Sequence, residues 1–291
     1  MKSTATDQPS LSVIIATYNR ADYLRICLAC LAAQDFKGRW QIIVADDGST
    51  DDTPDVIAAA RKYPALPDIG HIRQVHTVLR KARILNKACL SASGDMLVFL
   101  DCDCQPAPDL LSVYALNAAD DAYYLGGVFF LTQTYSQSYL QGRRRFSHAQ
   151  FFAGVNRRKN QTRGSARKVF KRYWKSRLYT ALNVRKAKIW GGNFAVNRDV
   201  FEYINGFDGN YVRFGQEDSD LRNRLLKGSY RAVCLHAKAR AYHLWHPLSQ
   251  WRVDLAAAGL NDHQYYKRSD LDVVCKNGLK QLKGRLGQPA D

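Results

Sequence analysis

Short apolar, β-branched runs separated by helical patterns recur through the first hundred residues, and that alternation constrains the chain more than any other feature. Leu11–Thr17 is the first such run, and Tyr23, Leu24, Cys27, Leu28 and Leu31 follow it at helical spacing. The same logic predicts a strand over 40–45 and a helix over 53–62 with Thr50 or Asp51 near its cap. It then predicts a strand over 71–77, a helix over 81–91 and a buried strand over 96–100. Strands alternating with helices of this length imply right-handed crossovers, so the expected class is α/β with a mostly parallel central sheet flanked by helices. Beyond residue 103 the alternation loosens. Strands are expected over 122–131, 188–196, 230–235 and 239–243, and helices over 199–204, 216–226 and from 248 onward. The expected organisation is a disordered stretch over 1–10, one domain over 11–247 and a helical extension over 248–291.

In such sheets the ligand sits beyond the carboxyl ends of the strands. Two of those ends are acidic here: the second strand runs into Asp46-Asp47-Gly48-Ser49, and the strand ending at Leu100 runs into Asp101-Cys102-Asp103. No Walker-type phosphate loop is present, and no Gly-x-Gly-x-x-Gly follows the first strand, which removes the motif basis for kinase-like or dinucleotide-binding readings. Side chains two apart in extended backbone point the same way, so Asp101 and Asp103 are expected to converge. Two adjacent carboxylates repel, and a divalent cation relieves that repulsion while keeping both ionised. The same pair would also cap the helix starting near Pro108 or end the strand on solvent, and the spacing alone leaves these readings open.

Charge is distributed unevenly. The chain carries a net +17, and residues 143–188 hold 16 basic side chains and no acidic one. Within that stretch Phe146, Phe151, Phe152, Phe170, Tyr173, Trp174, Leu178 and Tyr179 interleave with the lysines and arginines. Aromatics beside cations at helical spacing are what an interfacial helix presents to an anionic membrane, so such a surface is an expected partner; a solvated basic insertion is the plainer alternative. Nucleic acid would be drawn to the same charge, but no recognised binding motif accompanies it, so no specific nucleic-acid partner is expected. Seven cysteines is an odd number, and Cys27, Cys30, Cys89, Cys102 and Cys234 lie in apolar segments, which fits a reducing compartment better than a disulfide framework. Cys102 and Cys104 lack a second pair at zinc-ligand spacing. With no apolar stretch before Leu11 and no run approaching ~18 apolar residues, the expected location is cytoplasmic, either free or peripheral on the inner face of the cell membrane.

The residues taken in order resemble a known family. Val13-Ile14-Ile15-Ala16-Thr17-Tyr18-Asn19-Arg20 is similar to the opening strand and nucleotide loop of family-2-type glycosyltransferases of the GT-A fold. Asp46-Asp47-Gly48-Ser49-Thr50 resembles their uracil and ribose contact, and Lys81-Ala82-Arg83-Ile84-Leu85-Asn86-Lys87-Ala88 with Gly94 through Asp103 resembles the helix and strand leading into the metal loop. Arg80 departs from the pattern, since glycine is common there. In the second half, Trp190-Gly191-Gly192-Asn193-Phe194-Ala195, Asn205-Gly206-Phe207-Asp208 and Phe214-Gly215-Gln216-Glu217-Asp218-Ser219-Asp220-Leu221 resemble galactosyltransferases and chondroitin-polymerase-like enzymes.

The resemblance implies the following expectations. The donor, a UDP-sugar, would be bound by Thr17, Tyr18, Arg20, Asp46, Asp47, Lys81, Arg83, Asp101, Gly191 and Gly192. The metal, Mn²⁺ or Mg²⁺, would be held by Asp101, Asp103 and His243, with His246 as the nearby competitor; a mixed carboxylate and imidazole set favours Mn²⁺. Asp218 would act as general base with Glu217 positioning the acceptor, a glycan or lipid-linked hydroxyl, in a single displacement with inversion. Galactose-type donors are favoured by the second-half resemblance. Glu217 and Asp218 also read as ordinary acids in the first turn of a helix. The rival readings are a metal-dependent nucleotidyltransferase and a nucleic-acid-binding protein on a degenerate enzyme fold.

Overall fold

The structure, a computed structural model, describes residues 8–77, 79–162, 164–181, 189, 191–212, 215–247 and 271–286. Its frame is a seven-stranded sheet built from β1 (Leu11–Thr17), β2 (Trp40–Asp46), β3 (Ile69–Arg73), β4 (Met96–Asp101), β6 (Ala122–Leu125), β8 (Asn193–Asn197) and β9 (Arg231–Cys234), in the order β3-β2-β1-β4-β8-β6-β9. A second sheet of three strands has the order β5-β10-β7, with β5 at Cys104–Pro106, β7 at Gly127–Phe130 and β10 at Arg240–His243. The helices are α1 (Ala21–Leu31), α2 (Thr53–Ala60), α3 (Lys81–Cys89), α4 (Leu110–Leu116), α5 (Gln133–Leu140), α6 (His148–Val155), α7 (Ser165–Ala181), α8 (Arg198–Tyr203), α9 (Glu217–Lys227) and α10 (Leu279–Leu286). The α/β class and the alternation over the first hundred residues are as expected.

Parallel pairing of β3, β2, β1 and β4 sends the carboxyl ends of β1, β2 and β4 to one edge. Crossovers that cover both faces explain why Val13, Ile14, Ile15, Val98, Phe99 and Leu100 are all buried instead of alternating in and out. One face packs on α1, α2 and α4 through Leu24, Leu28, Ile57 and Leu111. The other packs on α3, α8 and α9 through Leu85, Phe201 and Leu225. A third cluster, around Tyr135, Phe151, Val169 and Tyr242, joins α5, α6 and α7 to the small sheet.

Two pairings decide what reaches that edge. β8 enters antiparallel beside β4 with Asn193 opposite Leu100, so the residues just before it, Gly191 and Gly192, meet the loop after β4. β10 runs antiparallel to β5 with His243 opposite Cys104, which carries a residue from late in the chain to Asp103. The amide of Leu244 donates to the Asp103 carbonyl at 2.8 Å and fixes that register.

Several expected boundaries shift for identifiable reasons. The strand expected over 71–77 is β3, ending at Arg73: Gln74 leaves the ladder with its side chain on Asp47, and His76 stacks on Tyr18. The single strand expected over 122–131 is two strands in different sheets, β6 and β7. They part at Gly126, where an added Cβ would lie 2.3 Å from the Tyr114 hydroxyl and 2.5 Å from the Asn193 side chain. The strand expected over 188–196 is β8, and residues 182–188 and 190 lie outside the described residues, as do 248–270 and with them most of the expected helical extension. What is described beyond them, α10, packs against α3, and the Leu279 amide donates to Asn205. Cys234 is half-buried instead of core. Among the described residues no helix is long and apolar enough to cross a membrane.

The helix that bears Glu217 and Asp218 is held by Arg224, which pairs with Asp220 inside the helix and hydrogen-bonds to backbone outside it. Arg224 is 1% exposed, donates from Nε to Asp220 at 2.8 Å and from its other nitrogens to the carbonyls of Ile204 and Gly206. Arg224→Met is therefore expected to destabilise the protein by about 3–5 kcal/mol, because it strands the Asp220 charge in the interior. Urea unfolding measures this, and a loss below about 1 kcal/mol would show that the pair does not anchor α9.

Candidate active site

A cleft of about 550 Å³ opens at the carboxyl edge of the sheet, lined among others by Thr17, Tyr18, Arg20, Asp47, Lys81, Asp101, Asp103, Phe130, His243 and His246. The strand ends supply most of these groups, His243 ends β10, and His246 follows in the segment after it.

The loop after β1 sets the first wall. Asn19 stands at φ 48°, in the left-handed region that asparagine tolerates, and its amide donates to Ser49 while its side chain accepts from Thr50. Asp51 ties two helices together by accepting from the Ala21 amide at the start of α1 and from Thr53 at the start of α2. Tyr18 lies flat on His76, ring centroids 4.1 Å apart and planes 13° apart. Arg20 sits over the Tyr23 ring, and its Nη1 is buried without a hydrogen-bond partner among the described residues, which suits an anionic ligand.

The expected acidic residues of β2 divide. Asp46 is fully buried and does not line the cleft: one oxygen accepts from the Ser49 amide and the other lies 3.0 Å from His71. Burial alone would raise its pKa, yet these hydrogen bonds hold the carboxyl below its ordinary value. Asp47 lines the cleft, but Gln74 and the Arg80 amide donate to its oxygens. Arg80 thereby serves the fold through its backbone.

Asp101 and Asp103 both line the cleft but take different partners, because Cys102 and Asp103 form a turn instead of extended backbone. Asp101 faces Lys81, whose Nζ donates at 2.5 Å and also lies 3.7 Å from Glu217. Asp103 faces the histidines, with His246 at 3.2 Å and His243 at 3.7 Å. Burial pushes Asp103 up, but His243, His246 and Arg20 outweigh it and hold the carboxyl well below the usual carboxylate range. Burial likewise favours neutral Lys81, and the charges of Asp101 and Glu217 reverse this, so the ammonium is strongly retained.

Asp103, Cys104 and His243 each offer one ligand atom within 4.8 Å of the others. A carboxylate and an imidazole so placed fit a divalent cation, with the Cys104 thiol as a neighbour that sequence spacing had set aside. Asp101 stands outside that group, its carboxylate on Lys81.

Glu217 and Asp218 open α9 beside this cluster. The Gly191 amide donates to Asp218 at 3.1 Å, and the next residue, Gly192, accepts from the Asp101 amide. A Cβ at Gly192 would stand 2.6 Å from the Cys104 sulfur, so glycine is what lets β8 approach here. Arg83 lies on α3, and neither it nor the two glycines line the cleft itself. The structure thus gathers Thr17, Tyr18, Arg20, Asp47, Lys81, Asp101, Asp103 and His243 around one space. Glu217, Asp218, Gly191 and Gly192 adjoin it, and Asp46 and Arg83 stand back from it.

Glu217 is 7% exposed, and burial, reinforced by Asp218 and Asp101 and only partly offset by Lys81, raises its pKa from 4.5 to about 7. A carboxyl raised on folding contributes stability that is complete below pH 4.5 and is lost as pH climbs through about 7. Glu217→Gln should therefore melt increasingly above the native protein between pH 5 and pH 8, by up to about 3 kcal/mol. Thermal melts at both pH values test this, and a gap that does not change with pH would contradict it.

Comparison with known proteins agrees with this geometry. The N-terminal domain of galactosyltransferase matches residues 175–247. Chondroitin synthase of Escherichia coli is 29% identical over 257 residues, which cover 85% of this chain and 36% of that protein. Hyaluronan synthase of Pasteurella multocida is 34% identical over 111 residues, covering 38% of this chain and 11% of that protein. The chain thus spans about a third or less of the length of these relatives. Among solved structures, the mannosyltransferase PcManGT of Pyrobaculum calidifontis, in complex with GDP-Man and Mn²⁺, superposes with a TM-score of 0.57 at 20% identity, covering 88% of this chain and 66% of that one. S. aureus TarS in complex with UDP-GlcNAc gives a TM-score of 0.54 at 17% identity, covering 84% and 60%. These likenesses establish the GT-A fold. Glycosyl transferase family 2 matches residues 12–204, two thirds of the chain, and the chain belongs to that family.

Proposed function

We propose that the protein transfers a sugar from a UDP-sugar, galactose-type, to the hydroxyl of a glycan or lipid-linked acceptor by a metal-dependent single displacement with inversion. The observation that carries this reading is the gathering of Asp103, His243 and Lys81 around one cleft, with the Glu217–Asp218 pair adjoining it beside Lys81. Relatives support it: their names include sugar-polymer synthases, and two structural neighbours hold nucleotide sugars.

Tyr18, on its stacked His76, offers an aromatic face to the nucleobase, with Thr17 and Asp47 beside the ribose. Arg20 supplies its unpartnered nitrogen to the diphosphate, and Lys81 supplies a positive charge kept ionised by its acidic neighbours. Asp103 and His243 would hold the cation, with Asp101 the further carboxylate nearby; Mn²⁺ suits the mixed ligands, with Mg²⁺ the alternative. When bound, that ion stabilises the departing diphosphate as a Lewis acid. The two glycines before β8 let the sugar and acceptor approach the backbone, and Asp46 and Arg83 act from behind, by shaping the loop after β2 and the face of α3. Asp218 takes the proton from the acceptor hydroxyl, and Glu217 positions that hydroxyl. The positive charge of the segment 143–188 supports an anionic membrane surface as a partner, with a location peripheral to the inner face of the cell membrane.

Incubating the protein with a panel of UDP-sugars and Mn²⁺ should release UDP with at least one of them. Release of pyrophosphate instead would identify a nucleotidyltransferase, and no turnover with any donor or acceptor would remove the enzymatic reading.

A further inference from the structure

The inner side of α7 is fastened to the domain. Val169 is buried, the Ser165 hydroxyl accepts from the Phe130 amide at 2.8 Å, and the Tyr173 carbonyl lies 3.8 Å from the Cys234 thiol. The outer side is different. Phe170, Trp174 and Leu178, spaced by four, form one stripe with exposures of 52, 64 and 55%. Arg167, Lys168, Lys171, Lys175 and Arg177 are exposed around it, and the whole stretch 143–188 lacks an acidic residue.

Single exposed apolar residues are ordinary, but a stripe of three that includes tryptophan, flanked among the described residues by the exposed cations Arg167, Lys171, Lys175 and Arg177, is not. We propose that α7 is a membrane-docking helix whose Phe170–Trp174–Leu178 stripe enters the interface of an anionic bilayer while the flanking lysines and arginines meet its headgroups. Charge complementarity selects this occupant: a second copy pairing symmetrically through α7 would bring like charges together, whereas an anionic surface neutralises them. This deepens the membrane-facing reading above and names the residues that carry it.

The position of the helix gives the docking a consequence for the cleft. The strand that α7 is bonded to, β7, carries Phe130, and the Thr162 amide, just before α7, donates to the Phe130 carbonyl. Phe130 and Thr162 both line the cleft. A helix docked on the bilayer through its outer face is thus tied, through Phe130 and Thr162, to one wall of the cleft.

Sedimentation of the full chain with vesicles, without donor or metal, tests the proposal independently of catalysis. The native protein should pellet with phosphatidylglycerol/phosphatidylcholine vesicles at low salt and remain in solution with phosphatidylcholine alone. Phe170→Ser, Trp174→Ser and Leu178→Ser combined should weaken that binding about tenfold or more while the variant still unfolds in one cooperative transition, because more than half of each residue's surface is already in water. The proposal is overturned if the native protein ignores anionic vesicles, or if the triple variant binds them as the native protein does. A dimer in gel filtration that the triple substitution dissolves, with no vesicle binding, would assign the stripe to a second copy and equally overturn it. Because no sugar donor is present, a failure of the glycosyl-transfer reading leaves this result standing, and the reverse also holds.

Discussion

Asp103→Ala is expected to lower transfer by roughly three orders of magnitude and to remove its response to added Mn²⁺. Asp103 is the one carboxylate in the cleft that faces both histidines, and its ionisation is secured by His243, His246 and Arg20 against the cost of burial. Alanine removes the anion that a cation would bind and leaves two imidazoles without the carboxylate they both face. Donor affinity should fall together with turnover, since in this reading a cation held by Asp103 would contribute to binding the diphosphate. Initial rates across a Mn²⁺ titration, with calorimetry for UDP binding, measure both quantities. Unchanged metal dependence in the variant would place the cation elsewhere. His246→Ala set beside His243→Ala then separates the two imidazoles, of which His246 stands nearer Asp103 while His243 belongs to the group that can share one ion.

Asp218→Asn should show a different pattern, with kcat falling by about 10²–10⁴-fold while UDP-sugar binding stays within about threefold. The amide keeps the size of the side chain and its oxygen can still accept from Gly191, so the peptide before β8 stays in place. Only the ability to take a proton is lost. Single-turnover rates and donor titrations distinguish this from a positional fault, which would raise KM for the acceptor. Near-native turnover in the asparagine variant would move the base to Glu217, whose pKa of about 7 makes it the alternative proton acceptor.

Much of the first hundred residues was legible because its signals are local. A strand declares itself by a run of β-branched residues and a helix by a 3.6-residue period, and both were present in β1, α1, β2, α2, α3 and β4. The boundary errors fall where a residue leaves the ladder to serve the cleft, as Gln74 and His76 do, and where a glycine lets one apolar run pass between two sheets, as Gly126 does. The acidic loop was visible as well, but its geometry was not. The two-apart rule holds for extended backbone, and the turn at Cys102 and Asp103 sends the two carboxylates to different partners.

Taken alone, the sequence determined the α/β alternation, the acidic strand ends, the family resemblance and the concentration of positive charge in one segment. Each of these is written within a few neighbouring residues or in the order of motifs. Only the tertiary structure decided that His243 stands opposite Cys104, that Lys81 rests between Asp101 and Glu217, and that Phe170, Trp174 and Leu178 remain uncovered. Those facts depend on strand register and on which face of a helix finds a partner. Both are set by packing between segments up to 140 residues apart in the chain, and no local period encodes them.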